Sequence, residues 1–430
     1  MSAVNKIQVT AAAVLLFASA PLQAETIAIT GGQVHTLGEA GELEDATVLI
    51  RDGEIVEVGE EVSIPEGARV IEAEGNPVTP GLMDAHGQIG VVEVGAVSHS
   101  SDAAIADREF TAGFDITDAI NPNSQLIPVN RIEGLTRAVV APTHSGDSHL
   151  IAGQGAVMDL GNGDEWLTET PAALYASLGA TGAARAGGSR AAALLHLREA
   201  FQDAEDYAAN RQAWQQGDRR PYSHGRLDLE AMVPVIRGEI PLVVAVDRVS
   251  DIRAALRLQE EWDLDLVIRG GAEAWKVAED IAAAGVPVLL DPLENLPSSF
   301  DSLAATRQNA VRLHEAGVTF AFATGESHNA RNITQAAGNA VAQGLPWEEA
   351  LAALTSRPAE IWGIDDRIGR LEPGMEADVV VWDGDPLEVT SFPVQVVIRG
   401  EMIPMESRHT RLRDRYSDLE DQQLPPAYRK

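Results

Sequence analysis

Acidic and imidazole side chains follow several short apolar runs in the second half of this sequence, at Asp247, Asp291, Glu326 and His328. Carboxylates and imidazoles bind divalent metals such as zinc, and a metal with an open coordination position lowers the pKa of its bound water from about 15.7 to about 7. Gathered by the fold with His86 and Gln88, these side chains could form a metal site for hydrolysis. Whether these side chains come together depends on the strands and helices that carry them.

Three of these four side chains also have a purely structural interpretation. Asp247 precedes Arg248, with which it could form an ion pair. Asp291 precedes Pro292, which is typical of a turn. His328 could be a polar loop residue. Residue type and position along the chain therefore leave both interpretations open.

The segment 81–365 must position these residues. Short apolar runs alternate there with helical patterns, as in 241–246 before a helix near Ser250, and 264–268 before a helix through Ile281. Strands that alternate with helices indicate parallel βα units, and this many units in a segment of this length fit a (β/α)8 TIM-like barrel. The carboxyl ends of such strands meet at one mouth, where ligands bind.

Strand patterns flank this segment on both sides, at 25–80 and 366–405. In the first, apolar alternation surrounds the turn Asp52-Gly53, which is a strong hairpin signal. We therefore predict an α/β protein in which a small β-sandwich, built from both ends of the chain, packs beside the barrel. The charged tail, 406–430, is expected to be extended or loosely docked.

Composition and charge limit the classes of partner. Apolar residues make up 45% and charged residues 23% of the 430 residues, as in a globular protein. Acidic residues outnumber basic ones, 65 to 32, for a formal net charge of −33. Nucleic acids and anionic membranes bind basic patches, so neither is an expected partner. A small-molecule ligand remains compatible with this surface.

Residues 1–24 resemble a secretory signal peptide. Lys6 precedes the apolar stretch 9–20, and Ala24 is a small residue suited to cleavage before Glu25. The stretch is too short for a comfortable membrane span, and a buried N-terminal helix is the alternative. The chain contains no cysteine, so it would tolerate an oxidising compartment without mispairing. We expect a periplasmic protein without membrane attachment after cleavage.

Several motifs resemble those of the amidohydrolase superfamily, in particular its imidazolonepropionase-like branch. Residues 78–86, VTPGLMDAH, are similar to the start of the barrel in that family, and 371–382, LEPGMEADVVVW, to its closing sandwich strand. Further similarities lie at 118–122, 132–136, 151–157 and 356–363. The resemblance, over about 25–405, implies metal-dependent hydrolysis of non-peptide C–N bonds, cyclic amides or dipeptides.

Most residues that hold the metal in that family are replaced here. The resemblance makes His86 the only retained ligand, with Gln88 at the position of a second histidine and Gly270 at that of a third. Gly325 stands where the family has its catalytic aspartate, so no catalytic residue is retained. The family's fourth-strand ligand should fall near 178–180, where none is found. One matching ligand cannot hold a catalytic metal.

The resemblance and the replacements together predict a degenerate amidohydrolase that has lost hydrolysis and carries no cofactor. Its role would be to bind a small ligand or to act as a non-catalytic subunit, in a homodimer or in a heteromer with an active paralogue. The alternative is an active hydrolase whose zinc, or other divalent metal, is held by a site rebuilt from the acidic and histidine side chains named above. A periplasmic small-ligand binding protein is a third hypothesis.

Two more histidines are candidates for ligand contact. His144 and His149 lie in a segment that forms a loop at the barrel mouth in this branch of the family. Loops are polar by default, so a surface role is the alternative for both residues. The fold must distinguish these roles.

Overall fold

The computed structural model describes residues 26–106, 109–146, 149–163 and 165–417. The predicted signal peptide, 1–24, lies outside them. Within these ranges the chain forms two eight-stranded sheets and the helices that pack on them. In the described part of the chain, no helix is both long and apolar enough to cross a membrane.

The chain begins with five strands of the smaller sheet: β1 (Thr26–His35), β2 (Glu42–Arg51), β3 (Glu54–Gly59), β4 (Arg69–Glu72) and β5 (Pro77–Pro80). Strands β2 and β3 form the hairpin that the sequence predicts, with Arg51 opposite Glu54. Both turn residues have positive φ, 56° for Asp52 and 87° for Gly53, as a two-residue hairpin turn requires. This prediction is confirmed because its signal is local.

The larger sheet is a nearly closed barrel. Its strands pair in chain order: β6 (Leu82–Gly87), β7 (Leu135–Val140), β8 (Ile151–Asp159), β9 (Leu167–Ser177), β10 (Leu242–Val246), β11 (Leu266–Gly270), β12 (Val288–Leu290) and β13 (Phe320–Phe322). Backbone hydrogen bonds bridge the gap between the last strand and the first. Phe322 N–H donates to the carbonyl of Ala353 and Met83 N–H to that of Leu354, so residues 353–354 link the two strands. Gly325 N–H donates to the carbonyl of His86.

One strand of the barrel differs from the (β/α)8 prediction. Strand β8 runs antiparallel to both β7 and β9, while the other neighbouring pairs are parallel. An antiparallel neighbour needs only a short connection, so no crossover helix is required between β7 and β9. Apolar runs such as 151–157 look the same in either direction, which is why the sequence pattern did not reveal the reversal.

Ten helices of the described residues accompany the barrel strands: α1 (Leu126–Arg131), α2 (Gly179–Arg185), α3 (Arg190–Gln215), α4 (Arg226–Ile236), α5 (Val249–Trp262), α6 (Ala278–Ala283), α7 (Asn309–Glu315), α8 (Ile333–Ala342), α9 (Trp347–Ala352) and α10 (Ser356–Ile361). The outward side chains of the strands pack against these helices in the largest apolar cluster. A second cluster fills the barrel interior, so the barrel is a packed core with a mouth and not a pore.

The chain then returns to the smaller sheet with β14 (Val379–Trp382), β15 (Pro393–Ile398) and β16 (Glu401–Met402). Strand β14 pairs with β5, so both ends of the described chain share one sheet. The strands form one sheet that branches at β1, which pairs with β2, β4 and β5. Its apolar side chains form a separate third cluster.

A buried ion-pair group joins the smaller sheet to the barrel. The Nε of Arg137, on β7, lies 2.7 Å from Asp378 Oδ2, and its Nη2 lies 2.6 Å from Glu376 Oε2. Arg137 and Asp378 are almost completely buried, so this charge is compensated away from water. The nearby indole N–H of Trp382 donates to Thr79 Oγ1 over 2.9 Å.

The start of the charged tail is helical. Residues Arg408–Ser417 form α11, whereas we expected extended or loosely docked chain. Ser407 supports its first turn, because the Ser407 hydroxyl oxygen accepts the backbone N–H groups of His409 and Thr410. None of the helix residues is buried. Residues 418–430 lie outside the described part.

Candidate active site at the barrel mouth

Strand alternation identifies the side chains that face the barrel mouth. On β11, Val267 belongs to the inner cluster and Ile268 to the outer one. Successive residues of a strand point to opposite faces, so Arg269 is the inward residue at the mouth and Gly270 faces away. The sequence prediction assigned the lost histidine to Gly270. The inner position beside it instead carries an arginine.

Gly270 has a backbone reason to be glycine. Its φ is +91°, and a Cβ atom there would lie 2.5 Å from Asp247 Oδ1. A histidine at this position would therefore be strained and would collide with the Asp247 carboxylate. The residue in the ligand-facing position of β11 is thus Arg269.

The guanidinium of Arg269 makes no hydrogen bond or ion pair with any residue that the structure describes. Burial lowers its pKa, and the charges of Asp247 and Glu294 act in the opposite direction. Its own charge lowers the pKa of His86, so it stands close to that ring. An arginine stays protonated in proteins, and the mouth therefore contains a permanent positive charge.

His86 lies deep in the mouth beside Tyr175. The His86 side chain is 6% exposed, its ring centroid is 5.5 Å from that of Tyr175, and its Nδ1 has no hydrogen-bond partner among the described residues. Burial, and then the charge of Arg269, lower its pKa well below the usual value. The Tyr175 hydroxyl is likewise buried without a described partner. Burial raises the pKa of Tyr175, so both groups are neutral at neutral pH.

His144 also faces this region, as the sequence suggested for a loop at the mouth. Its Nε2 lies 2.7 Å from Ser177 Oγ, at the end of β9. Burial lowers the pKa of His144 to about 4, and the charges of Arg185 and Arg269 act in the same direction. His149 has different neighbours: its ring lies 5.1 Å from the His224 ring, centroid to centroid.

A buried carboxyl group fixes the ends of β6 and β13. Thr324 Oγ1 donates to Asp84 Oδ2 over 2.6 Å, and Thr324 N–H donates to Asp84 Oδ1 over 3.1 Å. Burial raises the pKa of Asp84 to about 7, which these hydrogen bonds only partly offset. Asp84 belongs to the motif that suggested the family, but its contact with Thr324 joins residues 240 apart and could not be read from spacing.

The four side chains proposed for a rebuilt metal site do not converge. Asp247 Oδ1 accepts the backbone N–H of Ala272 over 3.2 Å and so ties the end of β10 to the loop after β11. Asp291 Oδ1 accepts the backbone N–H of Leu293 over 2.8 Å and so supports a turn. Glu326 is exposed. The His328 ring lies 5.1 Å from the His409 ring, on α11. Nor does Arg248 pair with Asp247, because it pairs with Asp251 at 3.2 Å.

The donor set does not fit the metal that the family resemblance implies. Across residues 26–106, 109–146, 149–163 and 165–417, no three histidine or acidic side chains are close enough to hold a metal ion. The family resemblance leaves His86 as the one expected ligand, and the inward residue of β11 is a cation. Gln88 offers an amide, which transition metals bind poorly.

Comparisons with known proteins agree with the architecture. The model of the amidohydrolase family matches residues 267–403. A dihydroorotase of Anaeromyxobacter dehalogenans is 28% identical over 89% of this chain and 94% of its own length. An imidazolonepropionase of Acidiphilium cryptum is 26% identical over 81% of this chain and 89% of its own length.

Two further similarities differ in extent. The amidohydrolase tasK of Hapsidospora irregularis is 25% identical over 82% of this chain, which spans only 39% of that relative. The crystal structure of an amidohydrolase from Thermotoga maritima superposes with a TM-score of 0.78 at 27% identity, covering 88% of this chain and 99% of that one. The nearly closed barrel and the second sheet of this chain are thus similar, in sequence and in fold, to those of amidohydrolases.

Proposed function

We propose that this chain is a degenerate amidohydrolase, which binds a small molecule at the barrel mouth without hydrolysing it. The observation that carries the proposal is the inward guanidinium of Arg269 in place of a metal ligand on β11. Gly325 also lacks any side chain that could take a proton from bound water. Both features act against the hydrolytic chemistry of the family.

Electrostatics supports this proposal. Two unit charges 4 Å apart interact by about 4 kcal/mol at an effective dielectric constant of 20, and a divalent ion doubles that value. A metal bound by His86 would be repelled by the charge of Arg269, which cannot lose its proton. Burial lowers the pKa of His86, and the positive charge of Arg269 lowers it further.

Metal content and hydrolysis test the proposal together. We expect the purified chain to contain well under one transition-metal ion per molecule, as in a site with too few ligands. We also expect no hydrolysis of dihydroorotate, imidazolone propionate or Xaa-Pro dipeptides above background, with or without added zinc. His86→Ala is the control variant, since a metal held by the retained ligand would be lost from it. Stoichiometric metal that disappears in H86A, together with hydrolysis, would overturn the proposal.

Export to the periplasm is part of the same proposal and rests on the sequence of residues 1–24. Full-length protein produced in a bacterium should appear in the osmotic-shock fraction with Glu25 as its first residue. N-terminal sequencing of that fraction makes the test. A chain that stays in the cytoplasm and begins at residue 1 would contradict it.

A subunit role is a second candidate, favoured by exposed apolar side chains beside the mouth. Leu296 is 67% exposed and Phe300 86% exposed, both in the loop after β12. Large exposed apolar groups in one loop are typical of an interaction surface. Light scattering of the wild type and of Leu296→Asp/Phe300→Asp tests this role. A homodimer that the double substitution converts to monomer supports it, and a wild-type monomer that captures no active paralogue opposes it.

A further inference from the structure

The mouth contains a charged donor and two neutral polar groups that the fold leaves unused. The Arg269 guanidinium has no hydrogen bond or ion pair with a described residue. His86 Nδ1 and the Tyr175 hydroxyl are buried without described partners, although polar groups in protein interiors almost always have one. His86 and Tyr175 are 6% and 4% exposed. Leaving them unsatisfied costs stability, which a bound ligand would recover.

These groups surround a space next to Gly325. A Cβ atom at this residue would have one described heavy atom within 4 Å, the Arg269 Nη2 at 3.4 Å. The His86 and Tyr175 rings lie 5.5 Å apart, centroid to centroid, and the charge of Arg269 lowers the pKa of both groups. A guanidinium presents parallel N–H donors that match the two oxygens of a carboxylate.

We propose that Arg269 binds the carboxylate of a small monoanionic ligand in the position that the family gives to its metal, with Tyr175 as a second donor. This inference rests on the proposed non-hydrolytic function, because it requires a mouth without a metal. A protein cation then takes the place of the metal cation, and the ligand supplies the missing negative charge.

The surrounding charges select a monoanion. Asp247 and Glu294 both act on the Arg269 guanidinium, but neither forms an ion pair with it. Burial raises the pKa of Glu294 to about 7, and the nearby charges of Asp247 and Asp291 raise it further than Arg269 lowers it. A phosphate dianion would meet these two carboxyl groups as well as the guanidinium, so repulsion disfavours it. A carboxylate carries one negative charge, half that of the phosphate dianion, and is repelled less.

A loop that carries Glu294 lies beside this site. Residues 291–308, which we call the strap, connect the end of β12 to the start of α7. Asp301 Oδ2 accepts the N–H of Ala180 over 2.6 Å, and Ala304 N–H donates to Glu273 Oε1 over 3.2 Å. Exclusion of water strengthens an ion pair, so the burial of His86 and Tyr175 favours tight binding of an anion at the mouth.

Titration calorimetry of the mature chain tests this inference with defined probes. Sodium acetate and sodium benzoate are compared with acetamide and benzamide, their neutral analogues, and with sodium phosphate. We expect at least one carboxylate to bind with a Kd below about 10 mM, while both amides and phosphate bind at least about tenfold more weakly. Arg269→Gln should weaken carboxylate binding about tenfold or more, as loss of a buried charge-assisted pair does. Arg253→Gln, at an exposed pair with Asp280, should bind as the wild type does.

Two variants of Gly325 sharpen the test. Its φ is +67°, a conformation that Asp and Asn tolerate better than most residues, and both side chains point toward Arg269. Gly325→Asp supplies a tethered carboxylate and should abolish carboxylate binding. Gly325→Asn has the same size without the charge and should retain it within about threefold. Equal loss of binding in both variants, with R269Q unaffected, would overturn the inference.

The outcomes separate this inference from the proposed function. Metal content and hydrolysis are measured on the same preparations. A metal-free, inactive wild type that binds neither carboxylate refutes the role of Arg269 and leaves the non-hydrolytic function standing. A metal-containing, active wild type refutes the proposed function itself. A carboxylate that binds wild type and R269Q equally refutes the role of Arg269 whatever the metal content.

Discussion

The Nη2 atom of Arg269 lies 3.4 Å from the point that a Cβ atom on Gly325 would occupy. Arg269 lies on β11 and Gly325 follows β13, and β12 separates these two strands. The arginine thus reaches across the mouth toward the position where the family resemblance expects an aspartate. A carboxylate at position 325 would neutralise the guanidinium of Arg269. Because residue 325 is glycine, the guanidinium stays available for a ligand.

Arg269 should reduce the stability of the ligand-free protein. Replacement by methionine, Arg269→Met, keeps the apolar stem and removes a desolvated charge without an ion-pair partner in the described structure. We expect the free energy of unfolding in urea to rise by about 1–3 kcal/mol. Arg253→Met, at an exposed pair, should change it by less than about 1 kcal/mol. A clear loss of stability in R269M would mean that the arginine supports the barrel.

His144 should make stability depend on pH between 6.5 and about 4. Its pKa falls from 6.5 to about 4 on folding, so in this window the unfolded chain binds the extra proton. Stability is therefore fully present above pH 6.5 and is lost as the pH falls toward 4, by at most about 1.4 kcal/mol per pH unit. His144→Gln should flatten this part of the curve of unfolding free energy against pH. His99→Gln, at an exposed position, is the control, and an equal effect of both substitutions would contradict the prediction.

Arg137 should be essential for joining the smaller sheet to the barrel. Arg137→Met leaves the carboxylate of Asp378 buried beside that of Asp159 with its main partner removed. We expect a loss of about 3–5 kcal/mol in the free energy of unfolding. The double variant R137M/D378N should recover part of this loss, because it removes the uncompensated charge. Additive losses in the double variant would show that the pair does not act as a unit.

Replacing Gly134 and Gly344 by alanine should show how much stability is lost through steric collision and how much through backbone strain. Both have positive φ, +98° and +111°, but a Cβ at Gly134 would lie 2.8 Å from the Trp382 ring, whereas nothing lies within 4 Å at Gly344. Gly344→Ala should cost about 1–2 kcal/mol through strain alone. Gly134→Ala should cost about 1–3 kcal/mol more, because Trp382 is packed in the core. Equal thermal destabilisation of both variants would contradict this difference.

Local signals in the sequence predicted much of the fold. The Asp52-Gly53 hairpin and the helix near Ser250, found as α5 (Val249–Trp262), follow from patterns within a few residues. The strand ends that carry Asp247 and Asp291 were also located correctly. The direction of β8 was not, because hydrogen-bond direction leaves no trace in an apolar run.

The candidate site was harder to predict because it depends on single-residue register. Whether Arg269 or Gly270 faces the mouth is fixed by strand alternation and by the positive φ of Gly270, neither of which the composition of 269–271 reveals. The contacts of Asp247 and His328 with residues outside the mouth depend on packing between distant segments. The sequence pattern located the ends of the strands, but the three-dimensional structure was needed to show that Arg269 faces the mouth.

The reversed strand β8 has a consequence for the order of folding. Strands β7, β8 and β9 form a meander whose partners are close in sequence, whereas the parallel pairs need long crossovers to close. Short loops cost less entropy, so residues 135–177 should acquire amide protection before β10 to β13 in pulse-labelling hydrogen exchange. Simultaneous protection of all the barrel strands would contradict this order. In such a sequence of events, the segment that delivers His144 and Tyr175 to the mouth is assembled before the strand that delivers Arg269.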